Sequence, residues 1–153
     1  MYKVLLVDDE YMITEGLKRL IPFEKWDMEV VATANHADDA LDYVREHPVD
    51  IVISDVNMPD KTGLEMIGEM KELLPEAYYI LLSGYQEFDY VKKAMNLNVV
   101  DYLVKPVDKV ELEHLLEKIL GQLREKVNEP EMLSQKIDDE AFKAHLSQKE
   151  NWW

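Results

Sequence analysis

Short apolar runs alternate with longer segments of helical periodicity through residues 1–126, and this alternation constrains the fold more than any other feature. The short runs are rich in β-branched residues and predict strands. They span residues 3–7, 29–34, 51–54, 78–82 and 99–104. The segments between them space apolar residues by three or four, which predicts helices that pack on a sheet. The repeated strand and helix favour an α/β fold: a doubly wound five-stranded parallel sheet with helices on both faces.

The charge balance and the missing residue types exclude several classes of protein. The chain has 17 Lys and Arg against 32 Asp and Glu, a net charge of −15, so it is unsuited to bind nucleic acid or an anionic membrane by itself. It has no cysteine, which excludes disulfides, iron–sulfur clusters and cysteine zinc sites. No apolar run approaches the roughly 18 residues of a membrane span. These features predict a cytoplasmic protein.

The segment after residue 126 differs from the repeating part of the chain. Glu129 and Pro130 predict a break in the last helix of the repeat, and the sequence finishes with Trp152 and Trp153. A segment this short cannot bury a core of its own. We therefore expect one domain at residues 1–126 and a linker or tail at residues 127–153, the truncated start of a longer output region.

Three carboxylates follow predicted strands whose ends are neighbours. Asp8 and Asp9 come after the first strand, and Asp55 follows the third. In the flavodoxin-like strand order 2-1-3-4-5 these strands are adjacent, and their carboxyl ends meet at one edge of the sheet. Clustered carboxylates repel one another, so the pattern favours Mg²⁺, an ion that binds carboxylate, carbonyl and water oxygens. The alternative is that Asp8 and Asp9 cap the first helix while Asp55 only ends its strand.

Three further side chains lie at the ends of the fourth and fifth predicted strands. Lys105, before Pro106, can reach a phosphate or a carboxylate of the next strand, above all if the peptide bond is cis; otherwise it points to water. Ser83, before Gly84, offers a hydroxyl to a phosphoryl oxygen or serves as an ordinary turn or capping residue. Tyr102 lies on the strand face opposite Lys105 and either swings outward or fills the gap between strand and helix.

This set of residues resembles the receiver domain of two-component response regulators, over about residues 2–126. The shared pattern is an acidic pair after strand one, D-x-x-M-P after strand three, Ser or Thr after strand four and Lys-Pro after strand five. The resemblance implies that Asp55 accepts a phosphoryl group from a histidine kinase. It also implies that Asp9, the Asp55 carboxylate and the Asn57 backbone carbonyl hold Mg²⁺, with Asp8 orienting the metal through water.

The same resemblance implies roles for the other strand-end residues. Lys105 would pair with the phosphoryl oxygens, and Ser83 and Tyr102 would form the switch pair. Where the family often has Asp-Gly this chain has Thr-Gly, and we expect Gly63 to supply the turn. The residue two positions after Ser83 is Tyr85, which is bulky and not acidic, so the chain has no obvious carboxylate there to position a hydrolytic water. The surface around the fourth helix, fifth strand and fifth helix is the expected readout and dimer surface.

The expected function is a phosphorylation-activated receiver that is not a turnover enzyme. Residues 82–88 and 23–26 further resemble regulators with an AraC-type output module, so transcription would be controlled through a DNA-binding domain absent from this chain. One alternative is a freestanding receiver that acts through protein contacts. A haloacid-dehalogenase-like phosphatase would need an acid where Asn57 stands. A flavodoxin-like cofactor binder would need a phosphate-binding loop in place of the acidic residues 8–10.

Overall fold

A five-stranded parallel sheet forms the centre of the computed structural model, which describes residues 1–84 and 101–136. The strand order is β2-β1-β3-β4-β5, which confirms the predicted doubly wound architecture. The strands are β1 (Tyr2–Val7), β2 (Met28–Ala34), β3 (Ile51–Asp55), β4 (Tyr78–Ser83) and β5 (Asp101–Val104). All residues of β3 are buried, as expected for a central strand whose two faces are both covered.

The register between the strands aligns the residues that follow them. Val7 of β1 lies beside Ser54 of β3. Asp55 of β3 lies beside Leu82 of β4, and Ser83, the next residue of β4, lies beside Val104 of β5. The first residues after β1 and β5 therefore emerge at the same edge of the sheet as the end of β3. This register gives the candidate site its position.

Helices follow the strands as the apolar periodicity predicts. They are α1 (Tyr11–Leu20), a 3₁₀ helix (Phe23–Trp26), α2 (Ala37–Glu46), α3 (Gly63–Leu73) and α4 (Lys109–Lys136). No helix among these described residues is both long and apolar enough to cross a membrane. The predicted helix between the fourth and fifth strands, the residue Tyr85 and the tail with Trp152 and Trp153 lie outside the described residues.

The predicted helix break at Glu129 and Pro130 is wrong, because α4 continues to Lys136. A proline removes one intrahelical hydrogen bond and disfavours the helical conformation of the preceding residue, but this cost is local. The helix spans 28 residues, so the loss of one hydrogen bond is small against the number that a helix of this length forms. The chain forms two compact units, Met1–Leu116 and Glu117–Trp153. The division into a domain at 1–126 and a tail at 127–153 stays a prediction.

A buried cluster of apolar side chains joins the sheet to α2 and α3. It places the apolar side chains of β1, β3 and β4 against the apolar stripes of the two helices, as amphipathic helices require. The strands contribute Leu5, Val7, Val52, Tyr79 and Leu81, and the helices contribute Ala40, Leu41, Val44, Ile67 and Met70. This packing fixes the starts of α2 and α3 relative to the carboxyl ends of β1 and β3.

Candidate functional site

The ammonium group of Lys105 lies between two buried carboxylates. Its Nζ is 3.1 Å from Oδ2 of Asp8 and 3.2 Å from Oδ1 of Asp55. Asp8 is 1% exposed and Asp55 is 5% exposed. The peptide bond from Lys105 to Pro106 is cis, one of the two possibilities that the sequence left open. Two carboxylates and one ammonium group leave a net negative charge at this edge of the sheet.

Backbone hydrogen bonds hold these residues in place. The N–H of Asp8 donates to the carbonyl of Ala34 (3.0 Å), and the N–H of Lys105 donates to the carbonyl of Ser83 (2.8 Å). Oδ1 of Asp8 accepts the N–H of Glu10 at 2.9 Å. Glu10, rather than Asp8 or Asp9, is the N-cap residue of α1, and its side chain makes no capping hydrogen bond. Helix capping therefore does not account for Asp8.

Burial and charge shift the pKa values of all three groups. Burial, followed by the nearby Asp8 carboxylate, raises the pKa of Asp55 to about 6 against the opposing effects of Lys105 and the Asn57 backbone. Burial also raises the pKa of Asp8, although the Glu10 N–H and Lys105 oppose it. Burial acts to lower the pKa of Lys105, but its hydrogen bonds and ion pairs with the two carboxylates raise it overall.

The donor set at this edge fits a hard divalent cation. Carboxylate oxygens of Asp8, Asp9 and Glu10 all lie within 4.8 Å of one another, and Asp9 and Glu10 are exposed. Oxygen donors and uncompensated negative charge are what Mg²⁺ binds in proteins. Glu10 was not among the predicted ligands. The signal that could have found it is the run of three consecutive acidic residues.

Ser83 and Tyr102 border the same edge in different surroundings. Ser83 is the last residue of β4 and is 1% exposed, so its hydroxyl group is buried. Tyr102 of β5 pairs with Leu81 in the sheet register and packs, half-buried, against the cluster that joins the sheet to α2 and α3. Their role as a switch pair stays a prediction.

The β3–α3 loop (residues 56–62) passes directly over the backbone of Asp55. The N–H of Gly63 donates to the carbonyl of Val56 at 2.6 Å, and a Cβ atom on Gly63 would collide with the Asp55 carbonyl oxygen. Thr62 caps α3 in a reciprocal capping box with Glu65. None of the described glycines has a positive φ, so close backbone approach, rather than the predicted turn conformation, requires glycine at position 63.

A match between this sequence and one family model covers nearly the whole of this fold and decides which family the chain belongs to. Residues 4–117 match the family model described as "Response regulator receiver domain". The chain belongs to this family. The receiver domain is 40% identical over 126 residues to an uncharacterized response regulatory protein of Staphylococcus epidermidis. It is 37% identical over 125 residues to the transcriptional regulatory protein HptR of Staphylococcus aureus. Each alignment covers 82% of this chain but 49% of the relative, so the chain spans about half the length of these relatives.

Solved receiver domains have the same fold. The REC domain of AraT, a response regulator from Geobacillus stearothermophilus, matches with a TM-score of 0.78 and 38% identity, over 82% of this chain and 97% of that one. A two component transcriptional regulator AraC from Clostridium phytofermentans matches with a TM-score of 0.76 and 26% identity, over 82% and 97% of the two chains. Both neighbours agree with the predicted likeness to AraC-type regulators.

We expect Asp55→Asn to stabilise the metal-free receiver domain at neutral pH. The pKa of Asp55 is raised from 3.8 to about 6, so the folded state binds this proton more tightly than the unfolded state does. The resulting stabilisation is complete below the unfolded pKa and is lost as the pH rises through the folded pKa. Asparagine does not titrate, so this site contributes no such pH dependence in the variant. At neutral pH the free energy of unfolding of Asp55→Asn should exceed that of the wild type by on the order of 2 kcal/mol.

Urea unfolding of both proteins in the presence of a chelator measures this difference. The two unfolding free energies should separate as the pH rises from about 4 to about 7, the window that the shifted pKa defines. Added Mg²⁺ should reduce the difference between the two unfolding free energies, because a cation favours the charged form of Asp55. An Asp55→Asn protein that is less stable than wild type in chelator at neutral pH would contradict the prediction.

Proposed function

We propose that this receiver domain accepts a phosphoryl group on Asp55. Asp9, the Asp55 carboxylate and the Asn57 backbone carbonyl would hold Mg²⁺, with Asp8 orienting the metal through water. The observation that carries the proposal is the position of the Lys105 ammonium group, 3.2 Å from the buried Asp55 carboxylate and 3.1 Å from Asp8. A cation fixed beside a buried carboxylate is suited to bind the oxygens of an incoming phosphoryl group.

The chemistry is nucleophilic attack by a carboxylate on phosphorus. An oxygen of Asp55 forms a bond to the phosphorus of the donor, and the bond to the leaving group breaks with its electron pair, so the product is an acyl phosphate. Both reactants are anionic, and their repulsion opposes the reaction. Mg²⁺, when bound, would neutralise the negative charge on the transferred group. Lys105 supplies the second cation and pairs with the phosphoryl oxygens.

Ser83 and Tyr102 are the proposed route from phosphorylation to output. The phosphoryl group adds about −1.5 to −2 in charge and several strong hydrogen-bond acceptors beside Asp55. Ser83 and Lys105 turn toward these acceptors, and the space that Ser83 leaves admits the ring of Tyr102. The half-buried position of Tyr102 against the core supports this route, because part of the residue is not yet buried. The new charge thus biases a two-state element.

The proposed donor is a histidine kinase, and the proposed output is transcription. The relative HptR is a transcriptional regulatory protein, and this chain spans about half of its length. With a net charge of −15, the receiver would reach DNA only through an output module outside this chain. Phosphorylation would promote a homodimer, and the protein would act in the cytoplasm. A freestanding receiver that acts through protein contacts is the alternative.

Mass spectrometry after treatment with acetyl phosphate and Mg²⁺ tests the proposal. The wild-type protein should gain the mass of one phosphoryl group, and peptide mapping should place that group on Asp55. Asp55→Asn should not be labelled, while Asp39→Asn, which changes an exposed carboxylate of α2, should be labelled like wild type. A chelator should suppress labelling.

Two results would overturn the assignment. One is labelling that persists in Asp55→Asn, and the other is no labelling of the wild-type protein in the presence of Mg²⁺. Sustained release of phosphate from a generic phosphate ester would instead support the haloacid-dehalogenase-like phosphatase. That chemistry uses a second acid to turn over, and Asn57 occupies the position two residues after Asp55.

A further inference from the structure

The N-terminus of α2 is capped by a residue from another part of the chain. His36 is the N-cap residue of α2, but its side chain makes no capping hydrogen bond. Instead, Asp60 of the β3–α3 loop accepts the backbone N–H groups of the first two residues of α2. Its Oδ1 accepts the N–H of Ala37 at 3.1 Å, and its Oδ2 accepts the N–H of Asp38 at 2.8 Å. One carboxylate thus satisfies two donors that a helix start leaves free.

The residue after Asp60 adds a second connection between the loop and the helices. Nζ of Lys61 lies 2.6 Å from Oε2 of Glu69 in α3 and 3.4 Å from Oδ1 of Asp38 in α2. Burial acts to raise the pKa of Asp60, yet its hydrogen bonds with the backbone hold that pKa below its ordinary value. Asp60 therefore binds α2 as a charged carboxylate, the form that a helix N-terminus favours.

The rest of the β3–α3 loop is fixed at its two ends. At one end, the N–H of Val56 donates to the carbonyl of Leu82 at 3.0 Å, and at the other the N–H of Gly63 donates back to the carbonyl of Val56. Asn57 lies between these ends, and its backbone N–H forms a hydrogen bond with the Asp55 carboxylate. Between these two ends, the loop is attached to α2 through the Asp60 carboxylate, which follows Asn57 in the same loop.

We propose that Asp60 is a positioning residue, which fixes the β3–α3 loop against α2 so that the Asn57 backbone is held toward the Asp55 carboxylate and Mg²⁺. This inference rests on the proposed function, because the Asn57 carbonyl is a metal ligand only in that scheme. In this scheme Asp60 would be neither a ligand of the metal nor a group that contacts the phosphoryl group. It acts through the loop, as groups that orient metal ligands do.

The test compares Asp60→Ala with variants that separate helix capping from loop position. Asp60→Ala loses the cap of α2 and the attachment of the loop together. The double variant His36→Ser with Asp60→Ala supplies a local cap, because the extended backbone of residue 36 (φ −139°, ψ 151°) suits a capping serine. Asp39→Asn removes a carboxylate from the same first turn of α2 and controls for the loss of negative charge.

Two readouts are needed, and neither uses a phosphodonor. The first is the Mg²⁺ dissociation constant, measured from the amide resonances of Asp9 and Asn57 during a Mg²⁺ titration. The second is amide hydrogen exchange at Ala37 and Asp38 in metal-free protein. We expect Asp60→Ala to weaken Mg²⁺ binding by about tenfold and to speed exchange at both amides. The double variant should recover slow exchange at Asp38 but not the Mg²⁺ affinity, and Asp39→Asn should bind Mg²⁺ within about twofold of wild type.

The possible failures are distinguishable. Unchanged Mg²⁺ affinity in Asp60→Ala would overturn the inference alone, and so would full recovery of affinity in the double variant, which would reduce Asp60 to a helix cap. A wild-type protein that does not bind Mg²⁺ would overturn the proposed metal site and the inference together. Should Asp60→Ala not fold, the double variant His36→Ser with Asp60→Ala, which restores a cap to α2 without attaching the loop, is titrated alone, and wild-type Mg²⁺ affinity in that variant would overturn the inference.

Discussion

Lys105→Met is expected to reduce the rate of phosphoryl transfer to Asp55 by about 100- to 1000-fold, the range seen when one fixed electrostatic donor is removed from a reacting centre. The ammonium group lies 3.2 Å from the Asp55 carboxylate, where the phosphoryl oxygens would arrive. Methionine has a similar length but no charge, so the anionic reactants would meet with one cation fewer. The measurement is the initial rate of labelling by acetyl phosphate at saturating Mg²⁺.

Lys109→Met is the matched control for this variant. Lys109 is an exposed lysine at the start of α4, and its Nζ lies 3.9 Å from Glu113, so its loss should change neither the labelling rate nor the stability appreciably. Lys105→Met should also lower the free energy of unfolding by about 3 kcal/mol, because two buried carboxylates lose their cation. Rates are therefore compared under conditions in which circular dichroism shows both variants folded. A labelling rate within about threefold of wild type in Lys105→Met would contradict the proposed role.

Gly63→Ala should destabilise the protein by about 3 kcal/mol, at the upper end of the usual range for overpacking. The added Cβ would collide with the carbonyl oxygen of Asp55, which is backbone at the end of a fully buried strand and cannot rotate away. The helix start or the strand end must shift to relieve the collision. Since Asp55 is the proposed phosphoacceptor, we expect labelling to slow as well. Urea unfolding and the labelling assay measure the two effects.

Gly68→Ala provides the control in the same helix. Gly68 lies inside α3, and a Cβ added there would meet no atom within 4 Å. Alanine favours helix more than glycine does, so this variant should gain up to about 1 kcal/mol. If Gly63→Ala proved as stable as Gly68→Ala, the close approach to Asp55 would not be the reason for glycine at position 63.

The fold could be predicted because it depends on patterns that are local in the sequence. A continuous apolar run such as 51–53 can be a central strand only if both of its faces are covered, and helical spacing in the following segments supplies the cover. The strand order then brings Asp8, Asp55 and Lys105 to one edge. Each of these residues directly follows or ends a strand, so its place follows from topology without any knowledge of side-chain packing.

The features that could not be predicted depend on contacts between distant backbone segments. Nothing near His36 in the sequence indicates that Asp60 caps α2 from 22 to 23 residues away. Gly63 was expected to supply a turn conformation, but the structure requires glycine because the backbone passes close to Asp55. The break predicted at Pro130 was wrong, because the helix continues to Lys136. A proline disturbs the helix only near its own position, whereas many hydrogen bonds along the helix stabilise it together.

The sequence by itself determined the parallel sheet and the charged residues that follow its strands, because apolar periodicity and the ends of the strands can be read from the order of the residues. Only the tertiary structure decided that the Lys105 ammonium group joins Asp8 to Asp55 and that the β3–α3 loop is attached to α2 through Asp60. Distances of about 3 Å arise from side-chain rotamers and backbone packing, which periodicity does not specify.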